Sequence, residues 1–511
     1  MAITNRERQV FTQNEFKGIF YTNDPASLGE GFLADCRDFF VSTSENELLA
    51  RPGWVNLAQS GMPYGVDWMT IYRTSARNEI VCANRTTNLM YTQNQNNLVT
   101  TYNSVDFGST EMAVQYNDNL YILNFAGGIY KYDGNTVSTV ASTPNLSYGV
   151  IFKDRLFGNH PRGSNPSRVY YCDSTDLTSW PGANFFDVNP GDGAFVECSY
   201  PINDRLLVFK NNKTYALIFS SADPAYWTLQ LISPTVGCIS RHSVKDINGL
   251  VYFASNDGIY RTDGYTLEPV SRAINSTVFP TSTSAPVGSS PRYLTAGKWK
   301  DFYVFSTPYN NTDKLIFLFN TKFNSWWSFT TPTETLWSYF TEYENPVWGS
   351  ESVPVTTLIA CPHRDYQLTF SYFGGLADGG SVKYTYTERD ADNNITFVEP
   401  QLRTKSFDFG NPFNYNKVQD IYVVASGVQN NALRIIPIPD DSAYSDRVFY
   451  FLKDQVAQSF RSPVMAWCNS FGVSVEMDIT YAPAVLEFQP ALYQIGIGYK
   501  PGRELIHSGT R

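Results

Sequence analysis

The stretch that decides the fold is Ile247–Gly264, which reads INGLVYFASNDGIYRTDG. It contains a short apolar strand, a tight turn at Asn256-Asp257-Gly258, a second strand and another turn at Asp263-Gly264. Asp-Gly favours hairpin turns because glycine accepts a positive φ without steric cost. An earlier copy, Asn119–Gly134, reads NLYILNFAGGIYKYDG and shares Gly-Ile-Tyr, a basic residue and a closing Asp-Gly. A hairpin cannot bury its own apolar face alone, so its repetition predicts an array of stacked or radially arranged sheets.

Strands that begin with a polar residue and continue apolar recur along the chain. They start at Asn78, Asn119, Asp154, Asp204, Asn248 and Asp301. The starts are about 45 residues apart on average, which is the length of one four-stranded propeller blade. Six copies predict an all-β fold with a β-propeller of about six blades, and Val355–Ala360 with Tyr366–Phe370 is a candidate seventh. We expect little helix, because no stretch keeps the apolar period of an amphipathic helix over three turns.

Changes in the pattern of apolar and polar residues along the chain predict four regions. Residues 1–60 are turn-rich and are interpreted as an N-terminal arm and closing strand. Residues 61–375 carry the propeller repeats, with loop insertions at 159–167 and 281–291. Residues 376–490 alternate apolar strands with polar turns, which predicts an antiparallel β domain that resembles a sandwich. The apolar strand within 491–511 is expected to return to a propeller blade, where it would cover an open sheet edge.

Composition and charge restrict the classes of function. Of the 511 residues, 15% are aromatic and only 17% are charged, a balance that suits sheets. With a net charge of −10, the chain is not expected to bind nucleic acid tightly through counterion release. An acidic surface can still let nucleic acid slide past it. The N-terminus lacks the features of a signal peptide, and the longest aliphatic-aromatic run, Leu315–Phe319, is too short to span a membrane. We therefore expect synthesis in a cytoplasm and no membrane-spanning segment.

Cysteines and histidines show no pattern of a metal or redox site. The seven cysteines are widely scattered and include no Cys-x-x-Cys pair, so we expect free, buried thiols: Cys36, Cys82, Cys172, Cys198, Cys238, Cys361 and Cys468. The four histidines lie apart and have no metal-binding spacing: His160, His242, His363 and His507. Cys361 and His363 offer two ligands without a second pair, so a structural role is expected. We predict no catalytic residue, no cofactor-binding residue and no metal site, and the sequence leaves the binding residues unknown.

The enzyme class worth testing on a propeller is the glycosidases and sialidases, which use paired carboxylates or an arginine cluster with a tyrosine nucleophile. Ser255-Asn256-Asp257-Gly258 resembles the start of a sialidase blade motif, but its glycine comes one place early and no tryptophan follows. Asp133, Asp257 and Asp263 are therefore interpreted as turn residues whose side chains bond the local backbone. Four tryptophans are expected to pack in the core rather than stack on sugars: Trp180, Trp326, Trp327 and Trp337.

Several short motifs resemble a known family. They are Asp24-Pro25, Leu28-Gly29, Asp35 and Leu49–Gly53 near the N-terminus, Val169–Asp173 and Asp176–Trp180 in the third repeat, Gly237–Gly264 around the deciding stretch, and Ile497–Arg503 at the end. Together they resemble the β-propeller tail nozzle, or packaged-DNA stabilisation (head-to-tail), proteins of short-tailed bacteriophages. The resemblance implies a hexameric ring or tube below the adaptor that plugs or gates the DNA channel and carries fibres or a needle. It brings no catalytic residues with it.

Three functions follow as hypotheses. The first is a structural protein of the phage virion, assembled in the host cytoplasm, whose homo-oligomeric ring (a hexamer) meets adaptor or portal-side proteins, fibres or a needle, and stays close to viral DNA without sequence specificity. The second is a receptor- or glycan-binding propeller tail protein with or without glycosidase activity. The third is a host-cell propeller scaffold for protein partners. Glycan binding, or release of reducing sugar lost with a single Asp, would favour the second.

Overall fold

The computed structural model divides the chain into two compact units. The propeller unit comprises Asn56–Lys314 and Thr333–Phe373, and the sheet unit comprises Met1–Val55, Leu315–Pro332 and Gly374–Arg511. The structure describes residues 7–22, 24–56, 67–94, 99–279, 294–306, 315–331, 337–344, 356–362, 371–373, 376–378, 381–383, 386–389, 395–409, 415–479 and 488–501. The sequence prediction had placed the propeller at 61–375, without the break at 315–332.

The first five strands of the chain are short. They are β1 (Gln9–Gln13), β2 (Leu33–Arg37), β3 (Phe39–Phe40), β4 (Leu48–Ala50) and β5 (Trp54–Asn56).

The propeller unit then consists of consecutive antiparallel sheets. Five of them have four strands each: β6 (Trp68–Arg73), β7 (Asn78–Asn84), β8 (Leu89–Gln93) and β9 (Val99–Tyr102); β10 (Thr110–Tyr116), β11 (Asn119–Asn124), β12 (Gly128–Tyr132) and β13 (Val137–Val140); β14 (Tyr148–Phe152), β15 (Arg155–Asn159), β16 (Arg168–Tyr171) and β17 (Phe185–Asp187); β18 (Val196–Ile202), β19 (Arg205–Lys210), β20 (Thr214–Ile218) and β21 (Thr228–Ser233); and β22 (Lys245–Ile247), β23 (Leu250–Ser255), β24 (Gly258–Thr262) and β25 (Leu267–Pro269).

Two further antiparallel sets complete the unit. The first is the hairpin of β26 (Thr295–Trp299) and β27 (Phe302–Ser306). The second comes after β28 and β29 of the sheet unit in the chain, and it consists of β30 (Trp337–Glu344), β31 (Thr356–Pro362) and β32 (Ser371–Phe373). The α-helix of the described residues is the four-residue α1, Asn275–Val278, and three 3₁₀ turns span Pro25–Ser27, Pro224–Tyr226 and Arg241–Ser243.

The first strands of these sheets form a closed ring. β6 lies beside β10, β10 beside β14, β14 beside β18, β22 beside β26, β26 beside β30, and β30 returns to β6. The sheets that begin with β18 and β22 share one apolar core, in which the Phe209 and Phe253 rings lie 4.6 Å apart. The described residues therefore form a β-propeller of seven sheets. This confirms the predicted fold class, with the seventh blade present.

Both faces of the second strands are buried, which explains their unbroken apolar runs. In β11, Leu120 and Ile122 pack against the preceding sheet, while Tyr121 and Leu123 pack against the following one. Neighbouring residues of a strand point to opposite faces, so a strand between two blades needs apolar side chains at every position. The apolar side chains of these strands therefore fill the space between neighbouring blades.

The polar residue that opens most of the repeats belongs to a turn. Asn248-Gly249 connects Ile247 to Leu250 as a two-residue loop with φ values of 55° and 78°. The same two-residue spacing joins the first and second strands of four other sheets. The apolar strands read from the sequence as inner strands are therefore the second strands of their sheets, and the first strands line the axis. The predicted turn at Asn256-Asp257-Gly258 is confirmed, because Ser255 pairs with Gly258.

The sheet unit is assembled from distant parts of the chain. Its further strands are β28 (Leu315–Asn320), β29 (Ser325–Thr330), β33 (Leu376–Asp378), β34 (Ser381–Lys383), β35 (Thr387–Arg389), β36 (Ile395–Phe397), β37 (Gln401–Thr404), β38 (Asn416–Ser426), β39 (Ala432–Pro439), β40 (Arg447–Tyr450), β41 (Gln458–Cys468), β42 (Phe471–Met477) and β43 (Ala491–Lys500). Two larger sheets contain most of these strands: one has the order β3-β4-β43-β38-β41, with β1 also paired to β43, and the other includes the order β28-β29-β2-β37-β42-β39-β40. The pairs β33-β34 and β35-β36 form separate two-stranded sheets.

The two larger sheets of this unit pack through aromatic pairs and one buried ion pair. Phe460 of β41 lies 5.7 Å from Phe449 of β40, measured between ring centres. The fully buried Arg51 donates from Nε to Asp38 Oδ1 over 2.5 Å and from Nη2 to the Thr330 carbonyl over 2.9 Å. The arm around Leu49–Gly53 is thus tied to β29 by a guanidinium that has carboxylate and carbonyl acceptors.

Two expectations for this region require correction. The strand of 491–511 does not return to a propeller blade in the described residues, because β43 pairs with β1, β4 and β38. Residues 7–50 likewise contribute strands β1–β4 to the sheet unit instead of only preceding the repeats. The physical reason is shared: the apolar faces of 376–490 are covered by strands from both ends of the chain.

Candidate functional site

At one end of the propeller ring, charged side chains from different sheets meet. Arg241 lies in the 3₁₀ turn before β22, Glu111 in β10 and Glu197 in β18. The Nη2 atom of Arg241 lies 2.8 Å from Glu111 Oε2, and its Nε lies 3.6 Å from Glu197 Oε1. Together with Arg85 and His160, these residues are called the ring-end cluster.

The Arg241 side chain crosses the middle of the ring. β10 and β22 are three sheets apart in a ring of seven, as far apart as two sheets can be. Arg241 is 8% exposed, and its Nη1 atom is buried without a hydrogen-bond partner. Burial opposes its charge, but Glu111 and Glu197 outweigh burial and raise the pKa of Arg241. The guanidinium is therefore a permanent cation held between two carboxylates.

Glu197 is the carboxylate whose protonation is most affected. Its side chain is buried, and its Oε1 accepts the backbone N–H of Arg241 over 3.3 Å. Burial raises the pKa of Glu197 above its ordinary value, and the nearby charge of Arg241 opposes that rise. Desolvation thus outweighs attraction at this carboxyl.

Arg85 extends the ionic network to the first sheet. Its Nη2 lies 3.7 Å from Glu111 Oε1, and its Nε donates to the Gly108 carbonyl over 2.8 Å. The guanidinium also lies 5.6 Å from the centre of the Phe125 ring. The charged groups therefore connect the first, second, fourth and fifth sheets across the end of the ring.

His160 lies on the other side of Phe125. The two rings stack at 5.8 Å, and His160 Nδ1 lies 2.6 Å from the Oγ atom of the buried Ser147. Burial lowers the pKa of His160, Glu111 opposes the change, and Arg241 and Arg162 reinforce it. The imidazole is therefore neutral near pH 7.

The histidines and the Cys361-His363 pair predicted to be structural fall in different places. His160 belongs to the ring-end cluster, whereas His242 is half-buried next to Arg241, and burial, together with Arg241 and Lys245, lowers its pKa to about 3. His363, His507 and the side chain of Cys361 lie outside the described residues. Within the described part of the chain, no three His, Cys, Asp or Glu side chains are placed to hold a metal ion.

Two of the three aspartates are turn residues whose side chains bond the local backbone, as predicted. Asp133 accepts the backbone N–H groups of Asn135 and Thr136, and Asp263 accepts those of Tyr265 and Thr266. These backbone hydrogen bonds lower the pKa of both carboxyls. Asp257 differs, because its Oδ2 accepts the Tyr260 hydroxyl over 2.8 Å.

The tryptophans pack as predicted where their side chains are described. Trp326 and Trp327 are buried in β29. Trp180 is half-buried in the core between the second and third sheets, and its Nε1 donates to the Leu177 carbonyl over 2.9 Å. The side chain of Trp337 lies outside the described residues.

The cysteines bear out their prediction for the residues described. Cys36, Cys82, Cys172, Cys198, Cys238 and Cys468 are free and buried. Burial raises the pKa of the Cys172 thiol to about 11 and that of Cys468 to about 12, so these thiols are unreactive near neutrality.

Sequence reasoning missed Arg241, Glu111, Glu197 and Arg85. No motif joins them, because four different sheets supply the side chains and only the ring brings them together. A usable signal existed in the residues just before and within the first strands, where a charged group interrupts an apolar run. The repeats read from the sequence are the second strands, which contain none of these four residues.

A second buried charge lies in the fourth sheet. The fully buried Lys210 ammonium lies 2.5 Å from Asp192 Oδ1, and it also donates to the carbonyls of Val188 and Asn189 over 3.0 and 3.1 Å. Burial alone would raise the pKa of Asp192, but hydrogen bonds from Lys210 and Lys213 lower it. The ammonium fills an oxygen-lined cage of the kind that hard cations occupy.

The comparisons with known proteins concern the fold. No family model matches the chain, and no curated protein matches it. Similar solved structures include a streptogramin B lyase (11% identity, TM-score 0.44, 63% of this chain and 98% of that one) and the virginiamycin B lyase of Staphylococcus aureus (11%, 0.43, 63% and 98%). The WD40 domain of Pan2 from Neurospora crassa is similar at 6% identity, TM-score 0.40, over 65% and 97%. No helix among the described residues is long and apolar enough to cross a membrane. The assignment as a β-propeller rests on the ring of seven sheets in the described residues.

Proposed function

We propose that this protein is a structural component of a bacteriophage tail, in which copies form a ring or nozzle below the adaptor that conducts or retains DNA and anchors other tail parts. The proposal rests on the motifs that resemble tail nozzle proteins, on the propeller and on the accompanying sheet unit. Its setting would be the virion tail, assembled in the host cytoplasm.

One observation carries the non-catalytic part of the proposal. The centre of a propeller is where the most blades can contact one ligand, yet here Arg241 occupies that position between Glu111 and Glu197. The three side chains satisfy one another's charges across the ring. This arrangement supports a rigid building block more than an open substrate site.

The first experiment tests assembly. The purified chain is mixed with the adaptor ring of its phage and imaged by electron microscopy, with the chain alone and the adaptor alone as controls. We expect a symmetric ring of copies stacked on the adaptor. A chain that stays monomeric at every concentration, with and without adaptor, contradicts the proposal.

The second experiment tests the relation to DNA. With a net charge of −10, the chain is expected to leave duplex DNA unshifted in a gel assay even at low salt. Tight binding whose affinity falls steeply with salt would instead indicate a protein that grips the phosphate backbone.

A second candidate function is a glycan-binding or glycosidase tail protein. Glu111 and Glu197 are two carboxylates that flank one guanidinium, and Glu197 has a raised pKa, as a general acid requires. A glycan array and a reducing-sugar assay compare the native chain with Glu197→Gln. Release of sugar that the Gln variant loses would favour this candidate over the structural role.

A further inference from the structure

Exposed apolar side chains are concentrated in one part of the sheet unit. Of the twelve large hydrophobic residues that are exposed in the described part of the chain, eight lie between residues 415 and 467. They are Tyr415, Tyr444, Val448, Tyr450, Leu452, Val456, Met465 and Trp467. The other four are spread over the rest of the chain. Such a concentration indicates a contact surface, whereas single exposed apolar residues need no explanation.

These residues lie on or beside two strands that end their sheets. β41 is the last strand of one sheet and β40 the last strand of the other. Phe460 and Phe449 pack between them, so both free edges lie along one border of the unit. This border, with its eight exposed side chains, is called the β40–β41 border.

The middle and the C-terminal half of β41 present different kinds of side chain. Its middle carries Arg461 and Pro463, and charge and proline both discourage another strand from adding to an edge. Its C-terminal half exposes 72% of Met465 and 50% of Trp467. The Trp467 ring stacks on Tyr415 at 5.9 Å, so its position is fixed before any partner binds. The border is therefore built for side-chain contact and not for strand addition.

A groove continues this surface. It has a volume of about 390 Å³ and is lined by Tyr444, Arg447, Pro463 and Met465, among others. An aromatic ring, a thioether and a guanidinium around one groove are the residue types that are enriched at the centres of protein interfaces.

We propose that the β40–β41 border binds the neighbouring copy of this chain. Eight large side chains, each about half exposed, present on the order of 800 Å² of apolar surface, close to what one partner buries in a stable interface. Permanent contacts between identical subunits are the most apolar of protein interfaces. This inference rests on the proposed ring, and it assigns the ring's contact surface to named residues.

The test is a double variant, Met465→Asp with Trp467→Glu, in the full chain. Both side chains point outward, so the melting temperature should match that of the native chain. Assembly is measured by mass photometry and electron microscopy over a range of concentrations, with and without adaptor. We expect the double variant to need at least about tenfold more protein to form rings, since truncated aromatic contacts at the centre of an interface weaken it by about that factor or more.

The matched control is Tyr226→Asp with Leu231→Glu in the propeller unit, where the two side chains are 65% and 48% exposed. This variant should assemble like the native chain. If the Met465/Trp467 variant forms rings as readily as the native chain does, the surface assignment is wrong but the ring proposal stands. A variant that forms normal rings but loses another tail component also overturns it, because the border then binds a different protein. A native chain that forms no ring contradicts the proposed function itself.

Discussion

Arg241 neutralises two carboxylates inside the ring, and its removal should leave Glu197 without this cation and Glu111 with the more distant Arg85. We expect Arg241→Met to lower the free energy of unfolding by about 3–5 kcal/mol, as breaking a buried pair does. Urea unfolding followed by tryptophan fluorescence measures the change. A loss below about 1 kcal/mol would show that the cluster contributes little to stability.

Glu197 should make stability depend on pH. Its pKa is raised in the folded state, so the folded chain holds the proton more tightly than the unfolded chain does. The stability contributed by this group is complete below its ordinary value of 4.5 and is lost as pH rises through the higher folded value. As the pH rises from 4.5 to neutrality, the free energy of unfolding should therefore fall less for Glu197→Gln than for the native chain. Parallel unfolding curves for the two proteins across that range would contradict the assignment.

Lys210 and Lys213 contact the same carboxylate but differ in burial, which gives a matched comparison. Lys210 is fully buried, whereas 22% of the Lys213 side chain is exposed. We expect Lys210→Met to destabilise the chain by about 3–5 kcal/mol and Lys213→Met to destabilise it much less. Equal effects in thermal or urea unfolding would show that the oxygen cage does not depend on the buried ammonium.

Among the elements, the two-residue turns between first and second strands set the register of the blades. Gly249 has a φ of +78° and open space around its α-carbon, so a methyl group meets no atom but strains the backbone. Gly249→Ala should cost about 1–2 kcal/mol of stability. Gly182 also has open space and carries no left-handed φ, so Gly182→Ala should be neutral or slightly stabilising. Similar losses in both variants would contradict a backbone cause.

The sequence predicted the hairpins because their information is local. Alternation and Asp-Gly turns depend on a few neighbouring residues, and Ser255 and Gly258 pair as the turn at Asn256-Asp257-Gly258 requires. The ring-end cluster was missed because its information is not local. Glu111 and Arg241 belong to sheets that meet only when the ring closes, and no local pattern records that closure.

At the scale of the whole molecule, the sheet unit cannot be cut out as one continuous segment. It needs β2, β28 and β29 in the same sheet as β37 and β42. We therefore expect a fragment of residues 374–511 to remain unfolded or to aggregate, because its sheets lack the strands that cover their edges. Circular dichroism and amide NMR dispersion measure this. A cooperative melt of the isolated fragment would contradict the prediction.

The pairing of β1 with β43 has a consequence for synthesis. The hydroxyl of Tyr499 donates to Gln9 Oε1, so two residues separated by 490 positions are partners. A ribosome that adds 5–20 residues each second makes the beginning of the nascent chain wait about 25 to 100 s for its partner. During that time the first strands have no sheet to join. The cell must therefore shield the emerging arm, with a chaperone or with the completed blades, until translation ends.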